Sequence, residues 1–364
     1  MSGRVAALVA GPPGPDPIDT PEKKAMTNPL RPGPVDVHAH IVPPRLIDRL
    51  AAGERAGYSA ERLPDGRVKV TLAGKPFNPP LLPGMVDLAL RLAAMDGQGV
   101  AAQVVSPWVG LTGAGLPADD AAWLTEAVNA EIGAFVRAHP ERFLGLGTAP
   151  LAVPDAGVAI LERAVGEHGL LGVEIPTIGD VALDDRALDP FWAAAERLGA
   201  LVMLHPLLAP MEGPYGRYFL NNLIHNPLET SVAAAHLVFG GVMERYPELR
   251  ILLVHGGGFL PYNLGRLVRG RAARPETAVA MTGSVEASVA RFLFDTVTHS
   301  PAALRFLVEE MGAERVLLGT DYPFDMADPD PRGTVAAAGL AAAARVAIER
   351  GNLDGLLAGA PVRP

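Results

Sequence analysis

The sequence contains no cysteine among its 364 residues. This absence excludes disulfide bonds, thiolate zinc sites and cysteine nucleophiles. Any transition metal bound by the chain must therefore be held by histidine, aspartate, glutamate and water.

The chain also lacks an excess of positive charge and any long apolar run. It contains 31 Lys and Arg but 40 Asp and Glu, so its formal net charge is −9. A negative net charge disfavours nucleic acid or an anionic membrane as the main partner. No run approaches the ~18 to 20 apolar residues of a transmembrane helix. The N-terminal stretch MSGRVAALVAGPPGP is a poor signal peptide. We therefore expect a cytoplasmic protein that binds neither nucleic acid nor a membrane.

Composition divides the chain into two unequal parts. Residues 1–33 are rich in proline and glycine and are predicted to form a flexible N-terminal extension. Residues 34–364 are predicted to form a single domain, since the chain is 49% hydrophobic and long enough for one large α/β core.

Eight short apolar runs alternate with longer helical patterns from Val35 onward. The runs are almost continuously hydrophobic, as expected of parallel strands that are covered on both faces. This alternation predicts a (β/α)8 TIM-type barrel, with a doubly wound open sheet as the alternative. The predicted strands are residues 35–40, 100–106, 143–151, 171–177, 201–206, 250–257, 291–297 and 316–323.

The connection between the first two strands is unusually long. It contains the stretch LPDGRVKVTLAGKPF, in which a PDG turn precedes an alternating apolar segment. This pattern is typical of a hairpin. We therefore expect a small insertion over the barrel mouth, at about residues 44–90.

Two of the helical patterns begin with an Asx-Pro pair. In LDPFWAAAERLG, Asp189 is the predicted N-cap, Pro190 the first helical residue and Gly199 the end. The same signature recurs at Asn226 and Pro227.

Two histidines stand one residue apart in PVDVHAHIVPP, residues 34–44. Because residues i and i+2 of a strand face the same side, the imidazoles of His38 and His40 point the same way. One buried histidine is readily explained as a hydrogen-bonded core residue, but two neighbouring imidazoles pack poorly when neutral and repel when charged. A shared cation would resolve both problems. This stretch by itself leaves core packing and metal binding both open.

Further ionisable residues lie at the ends of other predicted strands. His205 ends the fifth strand, His255 the sixth and Asp321 the eighth. The carboxyl ends of barrel strands meet at one face, where the active sites of such enzymes lie. Four histidines and one aspartate at this face are not well explained by core packing, so we expect them to share a cavity. His299, after the seventh strand, is a further candidate for the rim.

With these residues, the sequence resembles the amidohydrolase superfamily, and within it the decarboxylase branch typified by aminocarboxymuconate semialdehyde decarboxylase. The TDYPF and HGGGFLPYNLGR segments are the most specific part of the resemblance. The matching segments extend through most of the chain from residue 35 onward, namely DVHAHIVPP, HPERFLGLGTAPL, AAAERLGALVMLHP, ETSVAAAHLVFGGVMERYPELRILLVHGGGFLPYNLGR and VLLGTDYPF.

The resemblance implies one divalent metal per chain, Zn²⁺ in the first place, with other divalent metals possible. Binuclear barrels of this kind commonly use a lysine at the end of the fourth strand, whereas that strand here has only Glu174 as an ionisable group. The resemblance implies that His255 acts as acid and base beside the metal, and Asp321 is a second predicted catalytic residue. The implied metal ligands are His38, His40, His205 and Asp321.

The resemblance also suggests how substrate is bound. Arg266, eleven residues after His255, is predicted to bind a substrate carboxylate. In the resembling decarboxylases this arginine crosses a dimer interface, so we expect a homodimer and a small-molecule carboxylate as substrate. Phe324, the last residue of TDYPF, is a second predicted substrate contact. Leu207 stands where that family has an aromatic residue, which argues against an identical substrate.

Three functions fit these residues. The first is a metal-dependent, non-oxidative decarboxylase of an unsaturated or aromatic carboxylic acid, a carboxy-lyase that needs no organic cofactor. The second is a metal-dependent hydrolase of an amide, ester or lactone, because the same metal and histidine would activate water. The third is a non-enzymatic protein with a structural zinc, which the additional His255 and the rim position make the weakest of the three.

Overall fold

The computed structural model describes residues 30–179, 181–207 and 216–359. The predicted N-terminal extension, residues 1–33, therefore lies almost wholly outside the described residues. Within the described ranges, no helix combines the length and apolar character needed to cross a bilayer.

Twelve strands are present in the described part of the chain, and nine of them build the barrel wall. These nine are β1 (Val35–Ile41), β5 (Ala102–Pro107), β6 (Phe143–Gly145), β7 (Gly147–Thr148), β8 (Gly172–Pro176), β9 (Leu201–His205), β10 (Arg250–Leu253), β11 (Phe292–Asp295) and β12 (Val316–Leu317). The predicted third strand is divided into β6 and β7. Each of the eight predicted strands therefore has a counterpart, although most are shorter than predicted.

The strands are parallel and follow one another around a closed wall. One sheet has the order β1-β5-β6 and the other has the order β12-β11-β10-β9-β8-β7. The chain itself joins the sheets where β6 runs into β7. On the other side, the amide of Val37 donates to the carbonyl of Leu318 at 2.8 Å, and Ala39 bridges Tyr322 in parallel. The predicted (β/α)8 barrel is confirmed, and the open sheet is wrong.

Alternate residues of the strands enter two different apolar clusters. In β9, Leu201 and Met203 belong to one cluster, whereas Val202 and Leu204 belong to the other. All four side chains are at most 5% exposed. Burial on both faces is the physical reason why the strands read as nearly continuous apolar runs.

Helices connect the strands and cover the outer face of the barrel. The α-helices are α1 (Pro44–Ala51), α2 (Pro83–Val86), α3 (Leu88–Gln98), α4 (Ala118–Ala138), α5 (Pro154–Gly166), α6 (Asp189–Leu198), α7 (Asn226–Phe239), α8 (Val242–Arg245), α9 (Leu260–Ala273), α10 (Val285–Val289), α11 (Pro301–Met311), α12 (Pro331–Ala337), α13 (Ala342–Val346) and α14 (Asn352–Leu357). A π-helical segment, Asn221–His225, runs directly into α7.

The two predicted N-caps are wrong, and for one physical reason. A 3-10 turn, Arg186–Leu188, leads into α6, so Asp189 is already helical and its carboxylate pairs with Arg245 at 2.9 Å. In the same way the π segment extends the helix before Asn226, whose backbone is helical at φ −57° and ψ −51°. Gly199, by contrast, ends α6 in the left-handed conformation at φ +61°, as predicted.

The long first connection forms the predicted insertion. β2 (Ser59–Arg62) pairs antiparallel with β3 (Val68–Leu72) across the PDG turn, and β4 (Lys75–Pro76) adds a third strand. Arg91 of α3 ties the insertion to the barrel, since its guanidinium donates to the carbonyls of Gly84 and His40. The insertion thus packs against the carboxyl end of β1, where the candidate ligands lie.

Candidate metal centre and active site

Three predicted ligands from β1 and β9 place their imidazoles against one another. The ring centroids of His38 and His40 are 5.2 Å apart, and His205 lies 5.3 Å from the first and 4.6 Å from the second. All three side chains are buried. The strand ends bring these residues together although His40 and His205 are 165 positions apart in the sequence.

The hydrogen bonds at Nδ1 determine which ring nitrogen carries the proton. Nδ1 of His40 lies 3.1 Å from the carbonyl of Pro107, and Nδ1 of His205 lies 2.8 Å from the carbonyl of Pro206. A carbonyl only accepts, so each of these Nδ1 atoms must be the protonated one. Nδ1 of His38 is held in the same way, at 2.6 Å from a carboxylate oxygen of Asp295.

The three Nε2 atoms are consequently left with lone pairs. Nε2 of His38 and Nε2 of His40 are 3.2 Å apart, and Nε2 of His205 is buried and has no hydrogen-bond partner among the described residues. Asp321 Oδ1 lies 3.3 Å from the first of these atoms and 3.2 Å from the second. Several lone pairs at such distances repel unless a positive charge lies among them. The donor set therefore fits a divalent cation, as the sequence predicted, and the orphaned Nε2 is the observation that supports it.

His255 belongs to the same group of side chains. One ligand atom from each of His38, His205, His255 and Asp321 lies within 4.8 Å of the others. Nε2 of His255 is 3.5 Å from Oδ2 of Asp321, whereas its Nδ1 is buried and has no partner in the part of the chain that the structure describes. Geometry alone thus places His255 close enough to be either a ligand or the predicted acid and base.

The two residues at the ends of the sixth and eighth strands have strained backbones. His255 has φ +56° and Asp321 has φ +65°, a region that residues other than glycine rarely adopt. The amide of Asp321 donates to the carbonyl of His38 at 2.7 Å, which holds this conformation in place. Strain of this kind persists only where surrounding structure imposes it, and it concentrates at functional sites.

Asp295, at the end of β11, is the central residue that sequence reasoning missed. Its carboxylate accepts from Nδ1 of His38 and from the backbone amides of His255, Gly256 and Val297. These hydrogen bonds lower its pKa although the side chain is fully buried. The signal was available in RFLFDTV, where an acidic residue ends the seventh strand at the same face.

Charge and burial shift the pKa values of the predicted ligands in opposite directions. Burial and the neighbouring imidazoles hold the pKa of His205 well below its usual range. The carboxylates of Asp321 and Asp295 raise the pKa of His38 in spite of its burial. The pKa of Asp321 is well below its usual range because His38 and its neighbouring imidazoles outweigh the cost of burial. A positive charge at this point is favourable, whether a proton or a metal ion supplies it.

Glu174 lies where binuclear barrels carry a lysine. Its side chain is wholly buried, and burial raises its pKa. One carboxylate oxygen lies 3.5 Å from Nδ1 of His40, so the residue lies behind the ligand on the side away from Nε2. Glu174 is therefore a polar neighbour of the Nδ1 side of His40.

A cavity of about 530 Å³ opens beside this group, with His255 and Asp321 in its wall. Apolar side chains, including Phe259, Phe306 and Leu307, form much of the remaining surface. His299, the predicted rim residue, also lines the cavity, and its backbone has φ +53°. None of the described residues that line the cavity is a lysine or an arginine.

The two predicted substrate contacts occupy different places. Arg266 lies exposed on α9 and is not among the residues that line the cavity of its own chain. Phe324 packs its ring 5.2 Å from that of His40 and likewise is not among the described lining residues. Neither residue contacts the cavity beside His255, so their roles stay predictions.

Comparison with known proteins places the chain in a family. The family profile described as "Amidohydrolase" matches residues 35–363. A 2-amino-3-carboxymuconate-6-semialdehyde decarboxylase of Dictyostelium discoideum is 32% identical over 302 residues, which cover 82% of this chain and 83% of that protein.

Two solved structures share the fold. The 5-carboxyvanillate decarboxylase of Sphingomonas paucimobilis has a TM-score of 0.75 at 24% identity, covering 89% of this chain and 98% of that one. A dihydroxybenzoic acid decarboxylase of a Polaromonas species, solved with manganese and 2-nitroresorcinol, has a TM-score of 0.72 at 23% identity, covering 90% and 97%. With its matching profile, its close relative and its barrel-rim histidines, the chain belongs to the amidohydrolase family, in the branch that includes decarboxylases.

Proposed function

We propose that the protein catalyses the metal-dependent, non-oxidative decarboxylation of an unsaturated or aromatic carboxylic acid. The observation that carries this proposal is the close packing of three buried imidazoles and one carboxylate beside a cavity that contains a further histidine, His255. The Dictyostelium relative is named as a decarboxylase. The two similar structures reported above are named as decarboxylases of substituted aromatic acids. The alternative hypothesis, a metal-dependent hydrolase, has no comparable support.

We propose one divalent metal per chain, bound by the histidines of β1 and β9 and by Asp321. Three imidazoles and one carboxylate suit zinc. Manganese, however, is bound in the similar Polaromonas structure. A divalent metal ion is therefore better supported than zinc in particular. When bound, the metal supplies a Lewis acid that polarises the substrate oxygens. The proposed ligands are His38, His40, His205 and Asp321.

The residues behind the ligands orient them for this task. The carbonyls of Pro107 and Pro206 and the carboxylate of Asp295 each hold one imidazole in the tautomer that presents Nε2. Partners of this kind are a regular part of metal sites, because they set the ring orientation and raise the basicity of the ligand.

His255 is the proposed general acid. Decarboxylation requires that the carbon bearing the carboxyl group receive a proton, so that the C–C bond breaks, its electrons return to the unsaturated system and CO2 leaves. His255 lies in the cavity wall, and its Nε2 is 3.5 Å from Oδ2 of Asp321. It can therefore deliver a proton taken from solvent to the substrate carbon. The apolar wall keeps competing water away from that carbon.

We further propose that the protein is a homodimer in which Arg266 of one chain binds the substrate carboxylate of the other. Arg266 is exposed on α9, and none of the described residues lining the cavity supplies a guanidinium or an ammonium group. Nearby elements expose large apolar side chains that suit a subunit interface, namely Leu223, Ile224, Leu228, Val232 and Tyr262. The cytoplasmic location stays a prediction of the sequence.

The test of the function is a panel of substituted aromatic acids, muconates, amides and lactones presented to the metal-loaded protein. A decarboxylase releases CO2 in proportion to the substrate consumed and places one solvent deuteron on the product carbon. A hydrolase does neither and yields an acid with an amine or alcohol. Turnover of amides or lactones without CO2 release from any acid would overturn the proposal.

A further inference from the structure

Glu229 is a buried acid in the first turn of α7 that has no part in the proposed reaction. Only 2% of the residue is exposed. Its Oε2 accepts the hydroxyl of Thr177 at 2.8 Å and the backbone amide of Leu207 at 3.2 Å, while its Oε1 lies 3.0 Å from Nδ1 of His225. Burying a carboxylate is costly unless it has such partners. Because Thr177 and Leu207 follow the ends of β8 and β9, the carboxylate of Glu229 joins the ends of two barrel strands.

The amide of Leu207 belongs to a peptide group that also contacts a proposed metal ligand. This peptide joins Pro206 to Leu207, and its carbonyl is the one that lies 2.8 Å from Nδ1 of His205. The carbonyl of one planar peptide therefore accepts from the imidazole, while the N–H of the same peptide donates to Glu229. A continuous chain of hydrogen bonds thus connects the carboxylate of Glu229 with the ring of His205.

Hydrogen bonds in such a chain polarise one another. A carboxylate that accepts the peptide N–H makes the carbonyl of the same peptide more negative, and hence a stronger acceptor for the Nδ1–H of His205. A stronger hydrogen bond at Nδ1 raises the basicity of Nε2, the atom proposed to bind the metal, and holds the ring more firmly. Glu229 can therefore act on His205 without touching it.

His40 provides a comparison within the same site. Its Nδ1 also meets a proline carbonyl, that of Pro107, at 3.1 Å. The amide of that peptide, which belongs to Trp108, donates to the backbone carbonyl of Ile41 at 3.0 Å. The acceptor behind the peptide is therefore a neutral carbonyl at His40 and a carboxylate at His205.

We propose that Glu229 is a positioning residue that orients the metal ligand His205, and raises its basicity, through the peptide between Pro206 and Leu207. The inference rests on the proposed metal site and adds to that site a residue that does not contact the ligand itself. It predicts that changes at Glu229 weaken metal binding through the hydrogen bond at Nδ1 of His205. A residue that only stabilised the fold would not affect this bond selectively.

The first measurement is zinc affinity, determined by competition with a chromophoric chelator. Glu229→Met removes both acceptor oxygens at similar volume, and we expect the affinity to fall by about 10-fold. Glu229→Gln retains an oxygen for the amide of Leu207 but loses the charge, so its affinity should lie between those of Glu229→Met and wild type. The matched control is Thr177→Val, which removes another hydrogen bond to the same carboxylate and should bind zinc like wild type.

The second measurement observes His205 directly and requires neither metal nor turnover. In metal-free protein labelled with 15N-histidine, the Nδ1–H proton of His205 is assigned by NMR from its absence in His205→Ala. A stronger hydrogen bond moves this proton downfield, so we expect an upfield shift in both Glu229 variants and no shift in Thr177→Val. The Nδ1–H proton of His40 should not move in any of these variants, because the carbonyl that it meets belongs to a different peptide.

Denaturant unfolding of each variant separates this effect from a general loss of stability. If Thr177→Val loses as much zinc affinity as the Glu229 variants at similar stability, Glu229 only supports the fold and the inference is wrong. Unchanged affinity with an unmoved Nδ1–H proton in the Glu229 variants would also overturn it, as would the absence of a protected Nδ1–H proton at His205 in wild type.

Two further points keep the test decisive. Glu229→Gln provides both measurements should Glu229→Met fail to fold. A wild-type protein that binds neither zinc nor manganese would contradict the proposed metal site, whereas the position of the Nδ1–H proton would still decide whether Glu229 acts on His205.

Discussion

Nδ1 of His38 lies 2.6 Å from Oδ2 of Asp295, although the two residues are 257 positions apart in the sequence. The same carboxylate also accepts the backbone amide of His255 at 3.0 Å. One acidic residue thereby sets the tautomer of a proposed ligand and the position of the proposed general acid.

This relationship leads to a prediction for Asp295→Asn. An amide holds the imidazole of His38 less firmly, and its NH2 group faces a backbone donor, so the ligand loses basicity and orientation. We expect metal affinity to fall by about 10- to 100-fold, measured by competition with a chromophoric chelator. Glu310→Gln, an exposed acid on α11, is the control and should bind metal like wild type. Equal affinities in the two variants would contradict the role assigned to Asp295.

His205→Ala should lose metal and activity together. The substitution removes an Nε2 that no hydrogen bond occupies, and with it one proposed coordination bond. Elemental analysis should find one equivalent of metal per wild-type chain and much less in the variant. His236→Ala, which removes a half-exposed imidazole on α7, is the control. Two equivalents in the wild type, or full retention in His205→Ala, would rule out the proposed site.

His255→Ala separates the two roles that its geometry allows. If His255 is the general acid, the variant keeps its metal and loses roughly 10²- to 10⁴-fold in kcat. The measurement combines metal content with single-turnover kinetics on the same preparation. Loss of metal in this variant would instead make His255 a ligand, and near-normal turnover with metal present would remove it from the chemistry.

Arg91→Met tests the link between the insertion and the barrel. The guanidinium is buried and donates to Oε1 of Gln103 at 3.0 Å, to the carbonyl of Gly84 at 3.2 Å and to that of His40. Burial lowers its pKa to about 10, so it stays charged at neutral pH. Methionine would remove the donor from three acceptors, two of them in buried hydrogen bonds, and we expect the free energy of unfolding to fall by about 3 kcal/mol.

Denaturant titration measures this loss. Arg62→Met, at an exposed position on β2, is the matched control and should unfold almost like wild type. A variant at Arg91 as stable as this control would show that the three acceptors find other partners.

The shared site at Arg266 is tested by subunit mixing. Arg266→Ala and His255→Ala chains should each be inactive alone. If the arginine acts across a dimer interface, a mixed dimer contains one intact site, and activity returns after subunit exchange. Mixed dimers that form but remain inactive would show that Arg266 acts within its own chain or has no part in the reaction.

The sequence by itself determined the barrel and most of the candidate site. Strands buried on both faces must be apolar along their whole length, so the eight runs identified a parallel sheet before any coordinate was known. Ionisable residues at the ends of these strands were recognisable as candidates because they contribute nothing to the apolar packing of the strands. This is why His38, His40, His205, His255 and Asp321 could be selected from the sequence, and the tertiary structure brings them together.

Only the tertiary structure decided which side chains lack a partner and which have one. Asp295 was predicted only as part of a strand, whereas its carboxylate accepts a hydrogen bond from His38. A hydrogen bond between residues 257 positions apart cannot be predicted from the local sequence pattern. Asn226 was predicted to be a helix cap, but the π segment before it makes its backbone helical. The local sequence indicates secondary-structure propensity and hydrophobic periodicity. Whether a polar atom forms a hydrogen bond depends on which atoms the fold brings within about 3 Å of it.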